Sequence, residues 1–314
     1  MKRITVIGSF AVGLTIRTPT IPVFGQTLLG SDFDFGPGGK GSNQAVGVAR
    51  LGVQSSLVTC IGEDELANVA INLYAEEGVD TTFLERTSTR NTGVGVIVLN
   101  QQGENFIILD MGANELMDVA FVDRAEARIA ESDVVMAVLE IPVPAAFHAM
   151  KLGRKAGAHT ILNPAPATSL PDAVFGDIDY LTPNESELRI LMGLAADDKA
   201  DTRELAVALR GRGIGTVIVT MGERGALVLG ERVDTVVPTP VVDVVDTTGA
   251  GDAFNAGFAA ALAEGRGLLD AVAQGTAAGA HACTRLGVIP SLASTEQLTA
   301  FRRDHPVQEK KDQS

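Results

Sequence analysis

A chain of 314 residues with 46% hydrophobic side chains can hold one large α/β domain, or one domain with a small appendage, and is too apolar for wholesale disorder. Its formal charge of −14 argues against nucleic acid or an anionic membrane as partner. That charge does not exclude a nucleotide, because a local nest of backbone N–H groups needs no net positive charge. Cys60 and Cys283 lie in apolar surroundings, as free thiols in a reducing compartment do, and the four histidines are scattered without zinc-site spacing. No apolar run approaches the roughly 18 residues of a membrane span, and the first ten residues read as a strand rather than a signal peptide. The expectation is a soluble, cytoplasmic protein.

Residues 4–9 read as a buried strand. From 14 to 35, short β-like pieces (14–17 and 27–35) are separated by Pro19, Pro22 and Gly25, and 36–41 reads as a loop. A helix over 42–51 stops at Gly52, a strand covers 56–61, and an amphipathic helix over 64–77 ends at Gly78. Strands 92–100 and 105–110 form a hairpin through 101–104. The pattern then alternates: helix 118–131, strand 133–139, helix 144–156, strands 159–163 and 178–181, helices 184–192 and 202–212, strand 215–220. A β segment over 225–237 leads to helices at 249–263, 268–282 and 294–303, with a charged, frayed tail over 304–314. Such alternation implies a three-layer αβα fold with a mostly parallel sheet. The pieces 14–35 and 92–110 do not fit this rhythm and are expected to pair with each other, as a β lid over the carboxyl edge of a core made of 1–13, 36–91 and 111–303.

The stretch 245–258, VDTTGAGDAFNAGF, runs through Thr247, Thr248, Gly249, Ala250 and Gly251 into Asp252 and then an Ala-rich helix. A Gly-rich turn opening a helix presents unpaired N–H groups and the positive end of the helix dipole, an anion site. A carboxylate there would repel a phosphate, but it makes sense if Asp252 takes the proton of a hydroxyl that attacks a phosphoryl group. The motif alone is equally compatible with an Asp capping a helix.

Residues 36–43, GPGGKGSN, contain a literal G-x-G-x-x-G at Gly36, Gly38 and Gly41, but lack the tight strand–turn–helix setting and acidic partner of a dinucleotide site. Gly41 after Lys40 also rules out a Walker A loop. The glycines are read instead as bringing backbone close to a polyol, with Lys40 and Asn43 hydrogen-bonding its hydroxyls.

Segments 38–52 (GGKGSNQAVGVARLG) and 246–258 (DTTGAGDAFNAGF), in this order and about 200 residues apart, resemble the two signatures of the ribokinase, or PfkB-type, carbohydrate kinases. The resemblance covers roughly residues 3–302. It implies an αβα core with a β lid, and ATP-dependent phosphorylation of a sugar's primary alcohol. Asp252 matches the family's catalytic base, and Gly249, Ala250 and Gly251 its anion hole. Gly39, Lys40, Gly41, Asn43 and Glu140 match substrate-binding positions. Asn184 and Glu187, in TPNESE, match an element associated with Mg²⁺, reached through water, and phosphate; a helix cap by Asn184 is the plainer account. Thr220, Gly222, Glu223 and Gly225 match the loop that receives ATP, and Thr276 falls near the adenine-side helix. Asp246, Thr248, Ala282, Arg285, Gly287 and Ser291 correspond to a K⁺ loop. Asn163 matches a landmark of structural role, and dimers through the lid are implied.

One departure stands out. Ribokinases carry Asn and Asp after the first strand to hold the sugar; here Ala11 and Gly13 occupy those positions. Losing each partner would cost a ribose pocket roughly 1–3 kcal/mol. Either Thr15, Arg17 or Asp32 replaces them, or the substrate differs from ribose. A nucleoside or other small-alcohol kinase, and a sugar sensor without turnover, are the alternative functions.

Overall fold

The computed structural model describes residues 2–100, 102 and 105–307; residues 101, 103 and 104 of the expected turn, and the tail from 308, lie outside the described residues. Thirteen strands run in chain order: β1 (Arg3–Ile7), β2 (Ala11–Arg17), β3 (Ser31–Gly38), β4 (Gln54–Gly62), β5 (Asp80–Thr87), β6 (Gly93–Leu99), β7 (Asn105–Asp110), β8 (Val134–Val138), β9 (His159–Asn163), β10 (Tyr180–Leu181), β11 (Thr216–Thr220), β12 (Ala226–Leu229) and β13 (Asp234–Val237). The helices are α1 (Lys40–Arg50), α2 (Ala67–Glu77), α3 (Val119–Asp123), α4 (Glu126–Ala130), α5 (Val143–Ala156), α6 (Glu185–Leu191), α7 (Thr202–Arg210), α8 (Ala250–Ala263), α9 (Leu268–Ala282), α10 (Val288–Ser291) and α11 (Thr295–Asp304). None of them is long and apolar enough to cross a membrane.

Nine strands form one sheet in the order β13-β12-β11-β10-β9-β8-β1-β4-β5, all running the same way except β12, which pairs antiparallel with both neighbours near one edge. The sequence VVMAV of β8 is buried at every position, as a central parallel strand covered on both faces must be. Side-chain alternation splits it between two cores: Val134 and Met136 join the cluster under α1, α2, α8 and α9, while Val135 and Ala137 join the one under α3 to α7. The result is the three-layer αβα architecture expected from the alternation.

The remaining strands form a separate sheet, β3-β2-β6-β7. Ala11 and Gly13 pair with Gly38 and Gly36 on one side and with Gly93 and Gly95 on the other, so six positions without side chains beyond a methyl share one face. The expected loop 36–41 is therefore partly strand, with α1 beginning at Lys40; two glycines and a proline hide a strand pattern that only pairing reveals. Strand β5, polar because it pairs on one side alone, was not anticipated, and the helix expected over 118–131 divides into α3 and α4.

Glycines lock α1 against the end of β1. A Cβ on Gly41 would lie 2.5 Å from the Gly8 carbonyl carbon and the Ser9 nitrogen, and one on Gly8 would lie 2.7 Å from the Gly41 Cα. Gly39, at φ 88°, abuts Ser9, Phe10 and Ala11 in the same way. These glycines bring α1 close to the chain's own backbone.

Candidate active site

Two glycine-rich turns open helices at the carboxyl end of the parallel strands, and they differ in what happens to their N–H groups. At α1 every amide of the first turn is taken: Lys40 N donates to Glu140 Oε2 (2.8 Å), Gly41 N to Ser9 Oγ (3.4 Å), Ser42 N to Ser9 O (2.9 Å) and Asn43 N to Gly39 O (2.9 Å). Glu140 thus caps α1 from the end of β8, helped by the Ser9 hydroxyl at 2.5 Å. At α8 the Ala250 amide donates to Thr247 O (3.2 Å), but those of Gly251 and Asp252 find no acceptor among the described residues. A Cβ on Gly251 would meet nothing within 4 Å, so this nest opens outward. Of the two turns, only that of α8 leaves amides open among the described residues.

Asp252 does not cap its helix: the N-cap is Gly249, left-handed at φ 79°, with no side-chain bond. Its carboxylate, on a residue 5% exposed, reaches across to α1, where Asn43 Nδ2 donates to Oδ2 (2.8 Å) and Gln44 Nε2 to Oδ1 (3.1 Å). The Lys40 ammonium is held above its ordinary range chiefly by Asp252, against the cost of burial, with Glu140 and Glu187 adding to the effect. Asn43 was expected to contact substrate; its amide donor is engaged by Asp252, while its Oδ1 is buried without a partner among the described residues. Gln44 escaped the sequence analysis, because nothing in its spacing marks a buried amide as part of a site.

Beside this centre, Asn184 and Glu187 form a capping box on α6, each side chain accepting the other's backbone N–H at 2.8 Å. The cap is real, and it leaves one Glu187 oxygen available. Burial raises the Glu187 pKa above the usual carboxylate range, and Asp252 adds to the rise; the Asn184 amide and Lys40 oppose it. A backbone bridge pairs Asn184 with Thr220, and the loop beyond turns at Gly222 (φ 58°) and Gly225 (φ 86°), with Glu223 exposed. Thr276, buried on α9, places its hydroxyl 3.1 Å from Ala273 O and 3.3 Å from Pro238 O, where it ties the helix to the strand-end segment.

Asp246 joins two loops: Oδ1 accepts from Thr248 N (2.9 Å) and Oδ2 from Gly287 N (3.1 Å). Burial works to raise its pKa, but these bonds outweigh it and hold the carboxyl below its usual range. Ala282 O accepts from Arg285 N (3.3 Å), the Ser291 hydroxyl donates to Val288 O (2.7 Å), and Ser291 O faces His281 Nδ1 (3.0 Å). Arg50, paired with Glu77, donates to Ile289 O and Leu292 O. Val288 of this loop lies against Gly249, whose added Cβ would come within 2.5 Å of Val288 Cγ1. The loop therefore braces the anion nest.

The family model for pfkB family carbohydrate kinases matches residues 1–295. Ribokinase of Haemophilus influenzae is 36% identical over 300 residues, which span 96% of this chain and 98% of that protein. Deoxyribokinase of Salmonella typhi is 35% identical over 299 residues, 95% of this chain and 98% of the relative. The structure of Arabidopsis thaliana ribokinase complexed with ribose and ATP matches with a TM-score of 0.88 at 27% identity, over 96% of this chain and 99% of that one.

Proposed function

The chain belongs to the pfkB family of carbohydrate kinases, and from that premise we propose that Asp252 is the base of an ATP-dependent sugar kinase whose acceptor is a primary hydroxyl of a ribose-like sugar. The observation that carries this reading is the pairing, at one helix start, of a buried carboxylate held at both oxygens with two open amides. Asp252 takes the hydroxyl proton as the oxygen attacks the γ-phosphorus, and the Gly251 and Asp252 amides receive the charge that grows on the phosphoryl oxygens. Lys40 offsets the charge of the carboxylates around it. Asn43 Oδ1 and the free oxygen of Glu140 accept from sugar hydroxyls, and the Thr220–Gly225 loop receives the nucleotide.

The described residues contain no group of three or more His, Cys, Asp or Glu able to hold a metal alone. Glu187 suits a Mg²⁺ ion bound mainly by nucleotide phosphates and water, which would neutralise charge on the transferred group. The Asp246, Ala282, Arg285, Gly287 and Ser291 loops offer carboxylate and carbonyl oxygens to a monovalent cation such as K⁺, which would stiffen the brace on Gly249. On the small sheet, Phe33, Phe35, Phe106 and Ile108 are each more than half exposed, an apolar surface suited to a second copy of the chain.

The substrate reading rests on the face shared by Ala11, Gly13, Gly36, Gly38, Gly93 and Gly95, which offers backbone but no polar side chain to a sugar. Free ribose would leave hydroxyls there without side-chain partners, whereas a deoxy sugar, a hexose or a substituted pentose loses less or fills the space. A nucleoside is the second candidate of this kind.

Asp252→Asn is expected to retain ATP and sugar binding while lowering kcat by about 10²–10⁴-fold; a variant with more than about a third of wild-type activity would refute the base assignment. K⁺ is expected to raise the rate, and equal rates in K⁺ and in a large organic cation at matched ionic strength would remove it from the scheme. Light scattering is expected to give twice the 32.7 kDa of one chain, and a monomer would dismiss the apolar surface as an interface. In competition between ribose and the best of a panel of deoxy sugars, pentoses, hexoses and nucleosides, wild type is expected to favour the latter. Ala11→Asn with Gly13→Asp is expected to move the ratio toward ribose. A wild type that prefers ribose, or an unmoved ratio, would show that other groups supply the contacts.

A further inference from the structure

We propose that Gln44 is a positioning residue for the base, acting through a buried hydrogen-bonded ring that aligns Asp252 and the neighbouring peptide N–H together; the proposal rests on Asp252 being the base. The ring is read from its two fixed backbone carbonyls. Thr182 O accepts from Asn163 Nδ2 (3.2 Å), so Asn163 must turn its Oδ1 toward Gln44. Gln44 must then present its amino group, which donates both to Asn163 Oδ1 and to Asp252 Oδ1, each at 3.1 Å. The reverse orientation would set Gln44 Oε1 against two oxygens. On the other side, Gly251 O accepts from Asn255 Nδ2 (2.8 Å), and Asn255 Oδ1 accepts from the Thr182 hydroxyl (2.7 Å). The chain Asp252–Gln44–Asn163–Thr182–Asn255–Gly251 closes on itself, since Gly251 and Asp252 are consecutive.

Closure matters because the Gly251 carbonyl and the Asp252 N–H belong to one rigid peptide plane. Asn255 adds a side-chain donor to a carbonyl that α8 already orients, and so helps to hold the N–H that faces the anion site. Gln44, by holding Oδ1, sets the rotamer of the carboxylate. One ring thus fixes the group that takes the proton and a group that receives the phosphoryl charge. Gln44, Asn163, Thr182 and Asn255 are all buried. Gln44 Oε1 has no partner among the described residues, a desolvation cost that an apolar side chain of the same length would avoid. A residue selected for packing alone would shed that cost; one that must donate twice cannot.

The test is Gln44→Met, which keeps length and removes both donors, alongside Asn255→Ala, the double variant and Asp252→Asn. Thermal midpoint and ADP binding verify that each variant is folded. Gln44→Met is expected to lower kcat about tenfold or more with KM values within about threefold. The double variant is expected to lose no more than about threefold beyond the worse single, as members of one unit do. If Gln44→Met does not fold, the isosteric Gln44→Glu takes its place, with the same fall in kcat at nearly constant KM expected. Wild-type kcat, or a loss confined to KM, beside an inactive Asp252→Asn, would overturn the ring alone; an active Asp252→Asn would overturn the base reading itself. Losses that multiply in the double variant would overturn the shared ring.

Discussion

The burial of one carboxylate governs the centre of this molecule. Asp252 is nearly removed from water at the start of α8, and a charge so placed is costly unless donors surround it. The positive end of the helix and the Asn43 and Gln44 amides meet that requirement, with the Lys40 ammonium close enough to be shifted by it. All three of those side chains come from the first turns of α1. The angle and depth of α1 are therefore constraints on the chemistry, and the Gly8–Gly41 contact sets them, because any Cβ would push the helix away from β1.

The fold supplies the rest by topology. In a parallel sheet the carboxyl ends of the strands point to one edge, and the helices that follow begin there. Glu140 after β8, Asn163 at the end of β9, Asn184 after β10 and Thr220 at the end of β11 thus reach the same edge from four adjacent strands. The glycine-rich starts of α1 and α8 look alike in sequence yet act differently. Glu140 and Ser9 close the first, whereas nothing closes the second, and an open helix start is what a phosphoryl group needs.

What could be read from the sequence follows from this division. The G-x-G-D run, the helix after it and the αβα rhythm rest on local patterns, and each is visible in the residues themselves. The strand Gly36–Gly38 was not, because glycine carries no alternation, and its place became evident only through pairing with Ala11 and Gly13. Strand β5 was missed because a strand paired on one side has a polar sequence. Gln44 and Asn255 were missed for a deeper reason. Their roles depend on which buried amide faces which oxygen across helices and strands up to 208 residues apart, and no spacing rule encodes that.

Electrostatics imposes a last condition. Around the single Lys40 ammonium stand Asp252, Glu140 and Glu187, three carboxylates against one cation, in a chain that is itself strongly acidic. A nucleotide triphosphate approaching that edge brings more negative charge, and two open amides carry only partial positive charge. Attraction must come from cations that arrive with the nucleotide or sit beside the nest. The raised pKa of Glu187 fits this arrangement: its charge is poorly solvated until a cation reaches it. On the proposed reading, a cation and a nucleotide bound at this edge would be coupled, each lowering the electrostatic cost of the other, as linkage requires of two ligands that share one field.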